Sequence, residues 1–154
     1  MRLAGRRGHA RLRFDPAEAD LLSALFDQLD AVLDEDADDP VQRRLFPSAY
    51  PDDEQAAADF RTLTEASLRE QRDERIAACR ADLAGAGDID LADPDTGRRW
   101  LQTLNDLRLA LGTRLGITED DDHGIDHAAP DAEPRTVYFW LTAVQDAVVT
   151  AVMR

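Results

Sequence analysis

The chain contains no lysine: all 18 of its basic residues are arginine, and they face 32 acids for a formal net charge of −14. Nothing in the physics of folding accounts for the missing lysines. The deficit of positive charge, however, produces a negative field that keeps the chain dissolved and repels nucleic acid and anionic lipid unless a local patch inverts it. A lone cysteine, Cys79, excludes an internal disulfide framework within this chain and fits a reducing compartment. No apolar run approaches the ~20 residues needed to span a bilayer. The arginine-rich N-terminus lacks the apolar core of a secretory signal. A cytoplasmic location without membrane contact is therefore expected. Nor is there a nucleophile–base pair, a phosphate-cradling glycine loop or a cofactor fingerprint. No catalytic residue, cofactor or metal is assigned from the sequence, and a non-enzymatic role is expected.

What is present is helical periodicity. On a wheel of about 100° per residue, the stretch Trp100–Gly116 gathers Leu107, Trp100, Leu111, Leu104 and Leu115 into one arc. Leu101, Gly112 and Leu109 widen the arc on one side, and Ala110 and Thr103 on the other. Gln102, Asp106, Thr113 and Arg99 are left as a strip for water. A helix apolar around most of its circumference belongs inside a bundle. The expected fold is all-α: a single-domain bundle of five to six helices around a central buried helix at about 94–116, with a short extended N-terminal arm.

Residues 1–14 hold five arginines and no acid. They read as a basic arm or short strand, too short to found a sheet by itself, and are expected to be separable from the helical domain at 15–154. Asp15-Pro16-Ala17-Glu18 is a capping box with proline at the first helical position. It opens a helix whose apolar face runs from Leu21 to Leu33. A short helix follows at Val41–Phe46, then a long one carrying Ala56, Phe60, Leu63, Ser67 and Leu68 on one face and Ile76, Cys79 and Leu83 further on. The polar run Arg69–Arg75 between them is expected to leave the middle turns of that helix in water, with Gly85 and Gly87 ending it. Asp88–Asp93 is expected to be a loop. Glu119–Pro134, with seven acids and no arginine, reads as an acidic loop dispensable for folding. The last helix is expected from near Thr136, facing inward with Val137, Trp140, Leu141, Val144, Val148 and Ala151, broadened by Tyr138 and Val149.

Several residues are candidates for function. Arg2, Arg6, Arg7, Arg11 and Arg13 form the segment whose charge attracts nucleic acid, with a solvated tail as the plainer reading. Arg108 falls inside the apolar arc, Asn105 on its flank and Gln145 within the inner face of the last helix. A charge in such a place needs a partner or a cleft. The expectation is that Arg108 pairs with a carboxylate or carbonyls of another helix; a partner-binding notch of Asn105, Arg108 and Gln145 is the alternative. Cys79, in line with Ile76 and Leu83, reads as a buried small hydrophobe and only weakly as a redox residue. His123 and His127 are four apart, but Gly124 and the surrounding acids argue against the helix that a zinc site would need, and the spacing fails the EF-hand pattern.

Several strings, taken together, resemble a known family. They are Leu45-Phe46-Pro47-Ser48-Ala49-Tyr50; Phe60-Arg61-Thr62-Leu63-Thr64 with Leu68-Arg69; Trp100-Leu101 with Leu104-Asn105-Asp106-Leu107-Arg108-Leu109-Ala110-Leu111-Gly112; and Trp140-Leu141-Thr142 with Gln145-Asp146. They are similar to a family of small bacterial proteins long catalogued as a domain of unknown function. Its members are often encoded beside the ClpS protease adaptor, and it is named for the actinomycete oxidative-stress regulator. The resemblance runs from about Phe14 to the C-terminus. It implies a cytoplasmic transcriptional regulator of oxidative-stress and thiol-metabolism genes, acting with DNA and the transcription machinery; the sequence itself leaves both a monomer and a homodimer open. It carries over no catalytic residue. A single cysteine cannot form the internal disulfide of a two-cysteine switch, and no helix beyond the arm presents the uninterrupted basic face of a helix-turn-helix. The rival reading is a helical protein–protein adaptor with no nucleic-acid contact.

Overall fold

The Asp15–Glu18 box forms as its residue types require. In the computed structural model, which describes residues 1–5, 9–33, 40–45, 54–85, 88–117 and 128–153, the Glu18 amide donates to Asp15 Oδ1 at 2.8 Å and the Asp15 amide to Glu18 Oε1 at 3.0 Å. That reciprocal cap opens α1 (Pro16–Leu33), which buries Leu22, Leu25, Phe26, Leu29 and Val32. The other helices of the described residues are α2 (Pro40–Leu45), α3 (Glu54–Ala84), α4 (Pro94–Leu115) and α5 (Ala132–Val152). The fold is thus mainly α, as the periodicity predicts, with α3 one continuous helix.

The central helix is α4. Asp93 caps it, accepting from the Asp95 amide at 3.2 Å and the Thr96 hydroxyl at 2.9 Å, with Pro94 at the first helical position. Gly116 ends it in the left-handed region at φ 69°, its amide turned back to the last carbonyls, a conformation that suits glycine. Trp100 and Leu104 are fully buried. The Trp100 ring meets Phe14 at 5.7 Å and Phe26 at 6.3 Å between centroids.

α4 runs antiparallel to both long neighbours. Towards α3, Asp106 meets Arg72 and Arg75, Thr103 meets Cys79, and Trp100 meets Asp82. Towards α5, Gly97 faces Val152, Arg108 faces Thr142 and Gln145, and Gly112 faces Tyr138. The two glycines set the closeness of α5: a Cβ at Gly97 would lie 2.9 Å from Val152 Cγ2, and one at Gly112 would lie 3.0 Å from Tyr138 Cε2.

Several expectations need correction. The N-terminal segment is extended, as the short-strand reading expects, but it pairs with another part of the chain, and Asp88–Asp93 is not wholly a loop. Three strands, β1 (Arg2–Ala4), β2 (Arg11–Arg13) and β3 (Asp88–Asp90), form an antiparallel sheet in the order β1-β2-β3. None of these three-residue strands could stand alone. They hold because Leu3, Leu12 and Ile89 align across the sheet, with Leu12 and Ile89 buried in the core and Leu3 packed against it. The Leu91 amide also donates to the Ala10 carbonyl at 2.9 Å. α5 starts at Ala132 rather than Thr136, so the end of the expected acidic loop is the helix's first turn. The loop's centre lies outside the described residues. Val149 and Leu68, assigned to inner faces, are exposed at 41% and 42%, and Ser67 is exposed as well. Val149 lies between the buried Val148 and Ala151, on the side of α5 turned away from α4.

Candidate functional site

Alternation in the sheet decides where the N-terminal arginines point. With Leu3, Leu12 and Ile89 on the core side, Arg2, Arg13 and Asp88 line up on the other face, beside the row Ala4, Arg11 and Asp90. Arg2, Arg11 and Arg13 are exposed. Arg13 lies 3.4 Å from Asp88 Oδ2 and Arg11 3.9 Å from the same oxygen, with both guanidiniums more than half exposed. This is therefore a fixed arginine face, partly neutralised by one shared carboxylate. Gly5, at φ +124°, starts the turn from β1; a Cβ there would strike the His9 carbonyl. Arg6 and Arg7 lie outside the described residues.

The notch around Arg108 is built by two helices. Arg108 Nε donates to Thr142 Oγ1 at 3.1 Å, its NH1 donates to the Gln145 side-chain carbonyl, and its guanidinium stacks on the Tyr138 ring at 5.6 Å. Of the two expected kinds of partner, a carboxylate or a carbonyl of another helix, these bonds supply the carbonyl, with a hydroxyl and an aromatic face beside it. They suffice because Arg108 is only partly buried and water still solvates part of its charge. Gln145 meets Arg108, a grouping that belongs to the alternative notch reading. Asn105 does not, being exposed on another face of α4.

The buried charge of α4 is Asp106, which the wheel assigned to water. It is 7% exposed and accepts from Arg72 Nε at 3.0 Å and from Arg75 NH2 at 3.2 Å. Arg72 NH2 reaches on to the Leu45 carbonyl at 3.0 Å, so one carboxylate ties α2, α3 and α4 together. The expectation that Arg69–Arg75 sits in water fails at these two residues. Arg72 and Arg75 continue the inner stripe of Ile76, Cys79 and Leu83 at helical spacing, a signal that was legible but masked by their charge. Arg99, a second member of the supposed water strip, also turns to α3: it is half-buried and donates to Asp82 at 3.0 Å, and Trp100 Nε1 donates to the same carboxylate at 2.9 Å, whereas Gln102 is exposed as expected.

Cys79 lies between these ion pairs, fully buried, its Sγ 3.5 Å from Thr103 Oγ1. Burial pushes its pKa up to about 11, against the lowering effect of the Thr103 hydrogen bond. A thiol so placed stays protonated and inert at neutral pH. His123 and His127 lie outside the described residues. No helix among the described residues is long and apolar enough to cross a membrane.

A family model described as a domain of unknown function, DUF2017, matches residues 1–152. The oxidative stress regulator AosR of Mycobacterium tuberculosis (strain H37Rv) is 31% identical over 129 residues, which is 75% of this chain and 59% of that protein. The AosR of Mycobacterium bovis matches to the same extent. A Mycobacterium leprae protein named for the same regulator is 32% identical over 130 residues, at the same coverage. The aligned region thus spans about three-fifths of these relatives. No solved structure matches.

Proposed function

The chain belongs to the DUF2017 family, and from that membership, together with relatives named as oxidative stress regulators, we propose that it regulates an oxidative-stress response by binding rather than by turnover. Its nucleic-acid contact is the outer face of the N-terminal sheet. The observation that carries this reading is the strand register, which presents Arg2, Arg11 and Arg13 side by side on one face of the sheet. Arginines so held reach phosphate oxygens without the ordering cost of a flexible tail. A β-ribbon is also one of the elements that enters a DNA groove. Such contacts position a protein on DNA; sequence selectivity needs base contacts from elsewhere or a second copy. Transcription machinery is the protein partner this role calls for.

Asp88 and Asp90 on the same face, in a chain of net charge −14, favour the rival reading, an adaptor with no nucleic-acid contact. Titration of a labelled duplex at low salt separates the two. Binding that falls roughly tenfold or more when Arg2, Arg11 and Arg13 become glutamine, and that rises for Asp88→Asn because Arg11 and Arg13 lose their internal anion, supports the arginine face. No salt-sensitive binding, or binding indifferent to both variants, leaves the adaptor.

A further inference from the structure

Beside the α3–α4 seam lies a shallow, largely open cleft of about 370 Å³ lined by both helices. The charged residues on its walls are Glu74 and Arg75 from α3, and Asp95, Arg98 and Arg99 from α4. The signs are not equivalent, because two of the three cations, Arg75 and Arg99, are anchored and the anions are not. Arg75 is tethered from behind by Asp106 Oδ2 at 3.2 Å, and Arg99 by Asp82 Oδ2 at 3.0 Å and Thr96 Oγ1 at 3.3 Å. None of those three acceptors lines the cleft. Each tether uses only the NH2 of a five-donor fork, orients its plane, and leaves NH1 without an assigned partner. The Nε atoms of both arginines are buried without a partner among the described residues, a state that calls for an explanation in a folded protein. Arg75 moreover shares its carboxylate with Arg72.

The acids sit on the rim. Glu74 is exposed and Asp95 is 82% exposed, 3.9 Å from a similarly exposed Arg98. Both carboxylates are free to turn into water when an anion enters, whereas Arg75 and Arg99 cannot leave. The fixed charged groups that line the inner wall are therefore both cations, with their carboxylate partners Asp106 and Asp82 behind them, in a molecule that is otherwise strongly negative.

We propose that this cleft binds a small oxyanion of the phosphate or sulfate class, gripped by Arg75 and Arg99 with Arg98 closing over it. Its volume suits a free anion or a small phosphorylated molecule, and the surrounding negative field disfavours a polyanion there. The site lies on α3 and α4, away from the arginine face of the sheet, and stands or falls separately from it.

The test is titration of the full chain with inorganic phosphate, and with sulfate, at constant ionic strength balanced by chloride, followed by calorimetry and amide chemical shifts. The expected result is saturable binding that shifts amides around residues 74–78 and 95–102. Arg98→Gln, an exposed substitution that leaves the fold intact, should weaken binding roughly tenfold, the usual scale for one charge-assisted contact. Glu74→Gln should strengthen it severalfold by removing a like charge. Arg75→Gln should abolish it, and if that variant fails to fold, Arg98→Gln still decides. A response to phosphate no greater than to chloride, binding indifferent to both Arg98→Gln and Glu74→Gln, or affinity for a duplex alone would overturn the proposal.

Discussion

Asp106 is a buried carboxylate on which two arginines of α3 converge. Asp106→Asn keeps the shape and removes the charge, leaving Arg72 and Arg75 to share a neutral amide. The expected loss is about 3 kcal/mol, the scale for breaking a buried pair by removing one partner, read by urea denaturation. Gln102→Ala, at an exposed position on the same helix, should change stability by less than about 0.5 kcal/mol. Cys79 makes a prediction about pH. Burial raises the folded thiol from 9.0 to about 11, so above pH 9 the unfolded chain releases a proton that the folded chain keeps. Stability from this source is intact below pH 9 and falls between pH 9 and 11, by about 2–3 kcal/mol across that window. In Cys79→Ala that component should vanish, so the wild type and the variant converge as pH rises. Parallel profiles would refute the assignment. In the native state the thiol should also resist alkylation at pH 8 until denaturant is added.

Among the elements, the three-stranded sheet behaves least like its sequence. Leu12 has no exposed surface and sits at the centre of the row Leu3–Leu12–Ile89. Leu12→Ala should therefore cost about 2–5 kcal/mol, the range for large-to-alanine core changes, as measured by thermal or urea unfolding. Removing Met1–Arg13 takes away Leu12 and the whole pairing edge of β3. The truncated chain is expected to lose cooperative unfolding rather than to survive as an intact bundle without its arm. A truncated protein with the wild-type melting transition would show that the sheet is ornamental. The consequence for function is direct: nucleic-acid binding has to be tested with point variants on the outer face, because deletion destroys the support along with the ligands.

For the whole molecule the governing quantity is the net charge of −14, which sets a ceiling on polyanion affinity. At most five arginines can serve a duplex from the N-terminal segment, and Asp88 competes for two of them. The log–log salt slope for duplex binding should therefore be no steeper than roughly −4 to −5, and shallower if Asp88 keeps its partners. A steeper slope would mean that phosphates are met elsewhere on the body.

By itself, the sequence determined the helices, because a period of 3.6 in apolar residues, a capping box and a terminal glycine are local signals that need no neighbour. It placed Trp100 and Leu104 at the centre for the same reason. It also marked Arg108 and Gln145 as an unusual pair. Only the tertiary structure decided what those polar residues face. Asp106 looked solvent-exposed on an isolated wheel and is buried because α3 brings Arg72 and Arg75 to it. Arg108 looked in need of a carboxylate or carbonyls from another helix, and packing supplies Thr142, the Gln145 carbonyl and the Tyr138 ring. The sheet was likewise beyond local reading: its strands are three residues each, and β3 lies some 75 positions from β2. The pairing of Leu12 with Ile89 exists only once the helices have brought the two segments together. Periodicity is a property of one segment, whereas the partner of a charge and the neighbour of a short strand are properties of two, and those are settled by packing.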